Sequence, residues 1–100
     1  MSGPVTITLV LNLKPEAATP FCNGLPKMLE ETKKFPGFRS IRILKNKTDP
    51  NQVIFIEEWA AEEDYNKYIA WRTETGSMAA LAGALVSPPK MEVWPTLVAS

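Results

Sequence analysis

The stretch Gln52-Val-Ile-Phe-Ile-Glu-Glu-Trp59 decides the fold of this chain. Its β-branched and aromatic residues predict a β-strand. The run from Val53 to Ile56 is apolar without alternation, which indicates that both faces of the strand are covered. Because side chains alternate along a strand, we expect Glu57 and Trp59 to share one face and Glu58 to take the other.

Three further segments predict strands around this one. Residues 5–13 alternate, with the apolar side chains Val5, Ile7, Leu9, Leu11 and Leu13 on one face. Residues 38–45 form another β-rich run, and the polar loop 46–51, with Asp49-Pro50, predicts a hairpin that joins it to the strand 52–59. Residues 91–98 predict the last strand.

The remaining segments predict helices. Thr19-Pro20 is typical of a helix start, and the first helix should run to Pro36-Gly37, with Pro26 kinking it or delaying its start. The acids of residues 62–64 favour the start of a second helix, which ends at Gly76. Ser77 is expected to cap a short third helix, which carries Met78, Leu81 and Leu85 and is closed by Pro88-Pro89.

The resulting order is strand, helix, strand, strand, helix pair, strand. It predicts an α+β protein with the ferredoxin-like split βαβ arrangement, a four-stranded antiparallel sheet with helices on one face. A chain of 100 residues fits a single domain, residues 1–100. Since the uncovered sheet face is also apolar, we expect a homodimer through that face; the alternative is that the third helix or the chain ends fold over it.

The composition excludes several classes of function. Eleven Lys and Arg balance eleven Asp and Glu and are scattered, which argues against a nucleic-acid partner. The longest apolar run, residues 78–86, is far shorter than the roughly 20 residues of a membrane helix, so no membrane partner is expected. The single Cys22 and the lack of a visible secretory signal favour a cytoplasmic location. The absence of histidine removes the commonest metal ligand and general base, and no metal site is predicted.

A group of polar and aromatic side chains suggests a pocket between sheet and helices. Glu57 and Trp59 would form one wall, and the second helix would supply the facing residues, which are Tyr65, Tyr68 and Arg72, flanked by Trp71. Flat aromatic surfaces with one guanidinium suit a planar, electron-rich, partly anionic small aromatic molecule. Asn12 on the first strand is a further candidate for holding a ligand oxygen.

The same residues also allow a purely structural interpretation. Trp59 and the two tyrosines would then be core residues, and Glu57 would pair with Arg39 or Arg42 on the neighbouring strand. Asn12 would satisfy the end of its strand. Cys22, without a histidine beside it, is expected to be a structural thiol.

Several short motifs resemble one known family. They are the junction Pro36-Gly37-Phe38, the Asp49-Pro50 loop, and Phe55-Ile56-Glu57-Glu58-Trp59 before an acidic helix start. Over residues 5–98 the chain is similar to the antibiotic biosynthesis monooxygenase family of the dimeric α/β barrels. The resemblance implies a ferredoxin-like protomer, a dimer through the sheets, and a pocket to which Trp59 belongs. Better-understood members oxygenate phenolic or quinol-like compounds without metal or flavin, and one branch binds and degrades haem.

Where many family members carry a histidine on the helix after that tryptophan, this chain has Tyr68 and Trp71, so haem ligation in the family manner is excluded. Our hypothesis is therefore a cofactor-independent monooxygenase of a small phenol or hydroquinone, with no cofactor and no metal. Glu57, Tyr68 and Arg72 are its candidate catalytic residues, and the candidate binding residues are Asn12, Trp59, Tyr65 and Trp71. The alternatives are a cofactor-free cyclase or isomerase, a small-molecule-binding or stress-response dimer, and a structural dimer with a filled core.

Overall fold

A computed structural model describes residues 3–100. The elements along the chain are β1 (Val5–Asn12), α1 (Pro15–Lys33), β2 (Phe38–Lys45), β3 (Gln52–Trp59), α2 (Glu62–Glu74), α3 (Ser77–Gly83) and β4 (Lys90–Trp94). The strands β2 and β3 have the predicted bounds. No helix among these residues is long and apolar enough to cross a membrane.

The four strands form one sheet in the order β2-β3-β1-β4, and each neighbouring pair is antiparallel. The chain therefore has the predicted ferredoxin-like α+β fold. Strand β3 lies inside the sheet, where Glu57 is aligned with Ile7 on β1 and with Ile41 on β2. The apolar run of β3 supplies the buried Val53 and Phe55 on one face and the half-buried Ile54 and Ile56 on the other.

One face of the sheet carries the core and faces the helices. Val53, Phe55, Glu57 and Trp59 of β3 are all buried, whereas Glu58 is exposed on the opposite face. The predicted division of this strand into two faces is thus confirmed. The core consists of two clusters, one around Trp59 and one around Phe55.

Helix α1 begins at Pro15, five residues before the predicted first helical residue Pro20. Pro15 occupies its first turn, where a proline needs no N–H partner, and Lys14 is the cap residue. Pro20 and Pro26 both lie inside the helix, so Pro26 does not delay the start. The predicted start was wrong because Pro15 and Pro20 each fit a first helical position, and Pro15 is the one that occupies it.

The chain after α2 also departs from the prediction. The N-cap of α3 is Gly76, with a φ of 82°, and not Ser77 as predicted. Ser77 is the first helical residue, and Leu85 lies beyond the end of the helix. Strand β4 ends at Trp94 instead of Val98, because Pro95 has no N–H to continue the ladder along β1. Leu97 and Val98 are exposed.

The sheet face away from the helices is partly apolar. Ile54 on β3 is paired with Val10 on the neighbouring strand β1 and with Leu44 on the neighbouring strand β2. Trp94 of the edge strand lies on this face as well, half-exposed, and its indole N–H donates to the Thr8 hydroxyl at 2.8 Å. We call this surface, made of Val10, Leu44, Ile54, Ile56 and Trp94, the outer patch.

Candidate functional site

A cavity of about 730 Å³ lies between the sheet and the three helices and is partly open to solvent. Its floor is formed by Leu9, Leu11, Phe55 and Glu57 of the two central strands. The helices supply the walls, which include Phe21, Met28, Tyr65, Ile69, Met78 and Leu81. Three methionine thioethers, with Met91 at the sheet edge as the third, make the lining adaptable to the shape of a ligand.

Glu57 is the one acidic side chain on the cavity floor, and it is 4% exposed. Its Oε1 atom accepts a hydrogen bond of 3.0 Å from the Trp59 indole Nε1. Burial raises the pKa of the Glu57 carboxyl, although the hydrogen bond from Trp59 and the positive charge of Arg72 act in the opposite direction. A carboxyl group with a raised pKa in an apolar cavity is a stronger proton acceptor than an ordinary carboxylate and is suited to accept and return a proton.

The second carboxylate oxygen of Glu57 remains available to a ligand. No fully enclosed side-chain oxygen or nitrogen in residues 3–100 lacks a hydrogen-bond partner. Among these residues the side-chain partner of Glu57 is Trp59, which bonds to Oε1, so the Oε2 atom keeps contact with the open space of the cavity that Glu57 lines. The same reasoning applies to the hydroxyl of Tyr65, a buried residue that lines the cavity without a side-chain hydrogen bond.

Tyr65 is held in its neutral form. Burial raises the pKa of its phenol, and the nearby carboxylate of Glu57 and the phenol of Tyr68 raise it further. A neutral phenol is a hydrogen-bond donor as well as an acceptor. Next to each other in the cavity, Tyr65 therefore offers a hydrogen-bond donor and Glu57 an acceptor.

Arg72 at the end of α2 is 6% exposed and bonds mainly to α1. Its Nε donates to the Tyr68 hydroxyl at 2.9 Å, and one terminal nitrogen donates to Glu31 at 2.9 Å. The other terminal nitrogen donates to the Met28 carbonyl at 3.0 Å and to the Thr32 hydroxyl at 3.1 Å. Burial acts to lower the pKa of Arg72, but the bonds to Tyr68 and Glu31 outweigh it and raise that pKa.

These bonds fix the direction of the Tyr68 proton. Thr32 uses its single hydroxyl hydrogen to donate to the Met28 carbonyl at 3.0 Å, so it accepts in its 2.8 Å contact with the Tyr68 hydroxyl. Tyr68 therefore donates to Thr32 and accepts from Arg72. Its proton is committed within the protein, and four of the five N–H groups of Arg72 are committed too. We call the group Glu31, Thr32, Tyr68 and Arg72 the helix clasp.

Trp59 does not form a wall of the cavity, contrary to the prediction. Its side chain is 0% exposed and belongs to the core. Its ring lies 5.1 Å from the Tyr68 ring and 5.8 Å from the Tyr65 ring, between centroids, so the tyrosines separate it from the helix side of the cavity. Trp59 supports the site from behind, through its hydrogen bond to Glu57 and its ring contacts with the two tyrosines.

Two other predicted binding residues lie away from the cavity. Asn12 is at the end of β1, where its Oδ1 accepts a hydrogen bond of 2.9 Å from the side-chain amide of Gln52, its partner on β3. Trp71 is half-buried and packs against Phe35, with the Arg72 guanidinium 4.8 Å from its ring centroid. Glu57 does not pair with an arginine of β2, since Ile41 is the residue opposite it. The structure therefore brings Glu57, Tyr65, Tyr68 and Arg72 together at the cavity, but not the other three.

Thr32 was overlooked in the sequence although a signal for it exists. Phe21, Leu25, Met28, Thr32 and Phe35 recur at alternating spacings of four and three, which places Thr32 in the apolar stripe of α1. A polar residue in such a stripe requires a buried partner, and that partner is the helix clasp. In the described part of the chain, no group of three or more acidic or cysteine side chains could hold a metal ion.

The fold and this cavity define a protein of the ferredoxin-like class with a small-molecule-sized site between sheet and helices. The family model for antibiotic biosynthesis monooxygenases matches residues 4–75, and the chain belongs to that family. No curated protein matches the chain significantly.

Solved structures show the same fold at low sequence identity. A conserved protein from Methanosarcina mazei Go1 is 19% identical with a TM-score of 0.84, over 94% of this chain and 93% of that one. The protein Rv0793 from Mycobacterium tuberculosis is 17% identical with a TM-score of 0.84, over 98% and 99%. SnoaB from Streptomyces nogalater, a cofactor-independent oxygenase crystallised as a variant, is 15% identical with a TM-score of 0.82, over 99% and 97%.

The buried position of Trp59 predicts that Trp59→Phe lowers stability. The change leaves a void among the aromatic rings and removes the hydrogen-bond donor of Glu57, at a cost of about 1–3 kcal/mol. Urea unfolding measures this loss, and Trp94→Phe on the exposed outer patch should lose less. Unchanged stability of Trp59→Phe would contradict the packing described above.

The buried carboxyl predicts a pH-dependent effect of Glu57→Gln. Because the folded pKa of Glu57 is raised, its favourable contribution to folding is complete below the ordinary value of 4.5 and is lost as pH rises through the folded pKa. The amide still accepts the Trp59 bond but carries no charge. We therefore expect Glu57→Gln to melt above the unsubstituted protein at pH 8, with the difference shrinking towards pH 4.5. A constant difference across this range, in thermal melts, would argue against the raised pKa.

Proposed function

We propose that this protein is a cofactor-independent monooxygenase of a small phenolic or quinol-like aromatic compound. The observation that carries the proposal is the Glu57 carboxyl, which has a raised pKa and an available oxygen on the floor of a mostly apolar cavity. Membership of the antibiotic biosynthesis monooxygenase family supports the reaction class, as does the fold shared with SnoaB.

The chemistry requires only dioxygen and the substrate. Glu57 takes the hydroxyl proton of the bound phenol, and the phenolate transfers one electron to dioxygen. The phenoxyl radical and the superoxide that result combine, which forms a C–O bond at the para carbon. The peroxide takes the proton back from Glu57. The O–O bond then breaks. Its outer oxygen leaves as water together with the hydrogen of the para carbon, and a quinone remains. One oxygen atom enters the product, the other leaves as water, and the substrate supplies all four electrons.

The other cavity residues have distinct roles in this proposal. The Tyr65 hydroxyl donates to the substrate oxygen, and the remaining N–H of Arg72 favours negative charge on it. Tyr68 acts as a positioning residue, because its proton is already bound to Thr32. The apolar walls exclude water from the reacting ring.

A panel of 1-naphthol, 1,5-dihydroxynaphthalene and anthrone tests the activity in an oxygen electrode. We expect one dioxygen consumed per substrate with no hydrogen peroxide released, and one ¹⁸O atom from labelled dioxygen in each quinone. General-base contributions are commonly 10²–10⁴-fold, so Glu57→Gln should lower kcat at least about a hundredfold. Glu58→Gln, the neighbouring acid on the other sheet face, should leave kcat unchanged.

Two outcomes would exclude this function, and a third would exclude the role of Glu57 in it. Thermal stabilisation by these compounds without turnover would identify a binding protein, and rearranged product without oxygen uptake would identify a cyclase or isomerase. Equal loss of activity in Glu57→Gln and Glu58→Gln would remove Glu57 from the reaction.

The active species in this proposal is a homodimer that covers the outer patch. Three apolar side chains in register, Val10, Ile54 and Leu44, leave an exposed apolar row across three strands, and Leu44 is 45% exposed. The same patch on a second copy, related by a twofold axis, is the simplest cover for it. The cytoplasm remains the proposed location, consistent with a free Cys22 thiol.

Sedimentation equilibrium at micromolar concentration tests the dimer. We expect twice the chain mass of 11.1 kDa for the unsubstituted protein and the single chain mass for Ile54→Lys, which puts a charge in the middle of the patch. Leu29→Lys, the same change on the helix side, should stay dimeric. A monomer before any substitution would show that the outer patch is open to water.

A further inference from the structure

The amino-terminal part of α1 forms one wall of the cavity but is loosely packed. Ala17, Pro20, Phe21 and Gly24 line the cavity from this helix. Thr32, near the carboxyl end, is the one buried residue of α1. The wall is therefore held by half-buried contacts, such as Phe21 against Phe55 at 6.2 Å between ring centroids.

The same part of the helix has weak internal bonding. Pro20 and Pro26 have no N–H, so the carbonyl groups of Glu16 and Cys22 lose their usual helical partners. Gly24 lies between the two prolines and adds backbone freedom at the point where Cys22 is unpartnered. Opening of residues 15–26 therefore breaks fewer hydrogen bonds than opening of an ordinary helix of this length.

Both ends of this segment are fixed to the rest of the fold. At the amino end, the Lys14 N–H donates to the Ala84 carbonyl at 2.8 Å. At the carboxyl end, Arg72 bonds to Glu31 and Thr32 within the helix clasp and also to the Met28 carbonyl. Residues 15–26 thus have fewer internal helical hydrogen bonds than an ordinary helix of this length, while the residues on either side of them are bonded to the rest of the fold.

We propose that residues 15–26 are a movable lid on the cavity, which hinges at Gly24 and Pro26 and admits the ligand by local opening. The clasp keeps residues 28–32 in place while the lid moves, so Glu57 and Tyr65 stay positioned. The proposal concerns access to the cavity and does not depend on the oxygenase reaction.

Amide hydrogen exchange followed by mass spectrometry tests the lid on the full chain. Residues 15–26 should exchange at least about tenfold faster than residues 27–33 of the same helix. Gly24→Ala should slow exchange of the lid about fivefold, given the difference in helix propensity between the two residues. The new Cβ meets no atom within 4 Å, so it fits without displacement.

Two variants complete the test. Pro26→Ala restores the N–H partner of the Cys22 carbonyl and should slow lid exchange further. Gly83→Ala is the control, because its Cβ also meets no atom within 4 Å but it lies on α3; it should leave lid exchange unchanged. If Pro26→Ala does not fold, Gly24→Ala alone decides. Equal protection along α1, or slowing by Gly83→Ala as much as by Gly24→Ala, would overturn the proposal.

The thiol of Cys22 gives an independent readout, since it lies within the lid and is half-buried. Its reaction with 5,5′-dithiobis(2-nitrobenzoate) should be limited by lid opening and should slow about fivefold in Gly24→Ala. A labelling rate that is the same in Gly24→Ala and in the unsubstituted protein would show that the hinge does not control access.

Discussion

Strand β3 places a carboxylate in the interior of the protein, and much of the surrounding structure serves to accommodate it. Burying an ionisable group is unfavourable unless hydrogen bonds and opposite charge compensate for it. Glu57 receives one indole hydrogen bond from Trp59 and the long-range attraction of Arg72, and its pKa remains raised. Trp59 lies two residues further along the same strand face, and its indole donates this bond from within the core.

Arg72 differs from Glu57 because most of its hydrogen-bond donors are used within the protein. Arg72 is surrounded by acceptors from α1 and by the Tyr68 hydroxyl, so that it joins two helices and keeps one N–H for anything else. Glu57 and Tyr65 instead keep one polar atom each at the cavity. The polar groups around the cavity thus have two roles. Those whose hydrogen bonds are used within the protein stabilise the fold, and those with an unused donor or acceptor are available to bind a ligand.

The sequence predicted most of the sheet because strand alternation is a local property. Residues 52–59 alone define which side chains share a face, and the structure confirms the placement of Glu57, Trp59 and Glu58. The start of α1 was wrong because Pro15 and Pro20 carry the same local signal, and packing decided between them. The placement of Trp59 in the core, and not on the cavity surface, depends on how the rings of Tyr65 and Tyr68 fill the space above the sheet. The clasp was also beyond local reasoning, since Glu31 and Arg72 are 41 residues apart along the chain.

The cavity walls that α1 and α3 supply consist of residues outside the buried core. Trp59, Ile7 and Val53 are buried against the sheet, whereas α3 has no buried residue and α1 has only Thr32. Substitutions at half-buried wall positions such as Met78 or Leu81 therefore change the shape of the cavity with little effect on the free energy of unfolding. The shape of the cavity can therefore change without a compensating gain in stability elsewhere in the fold.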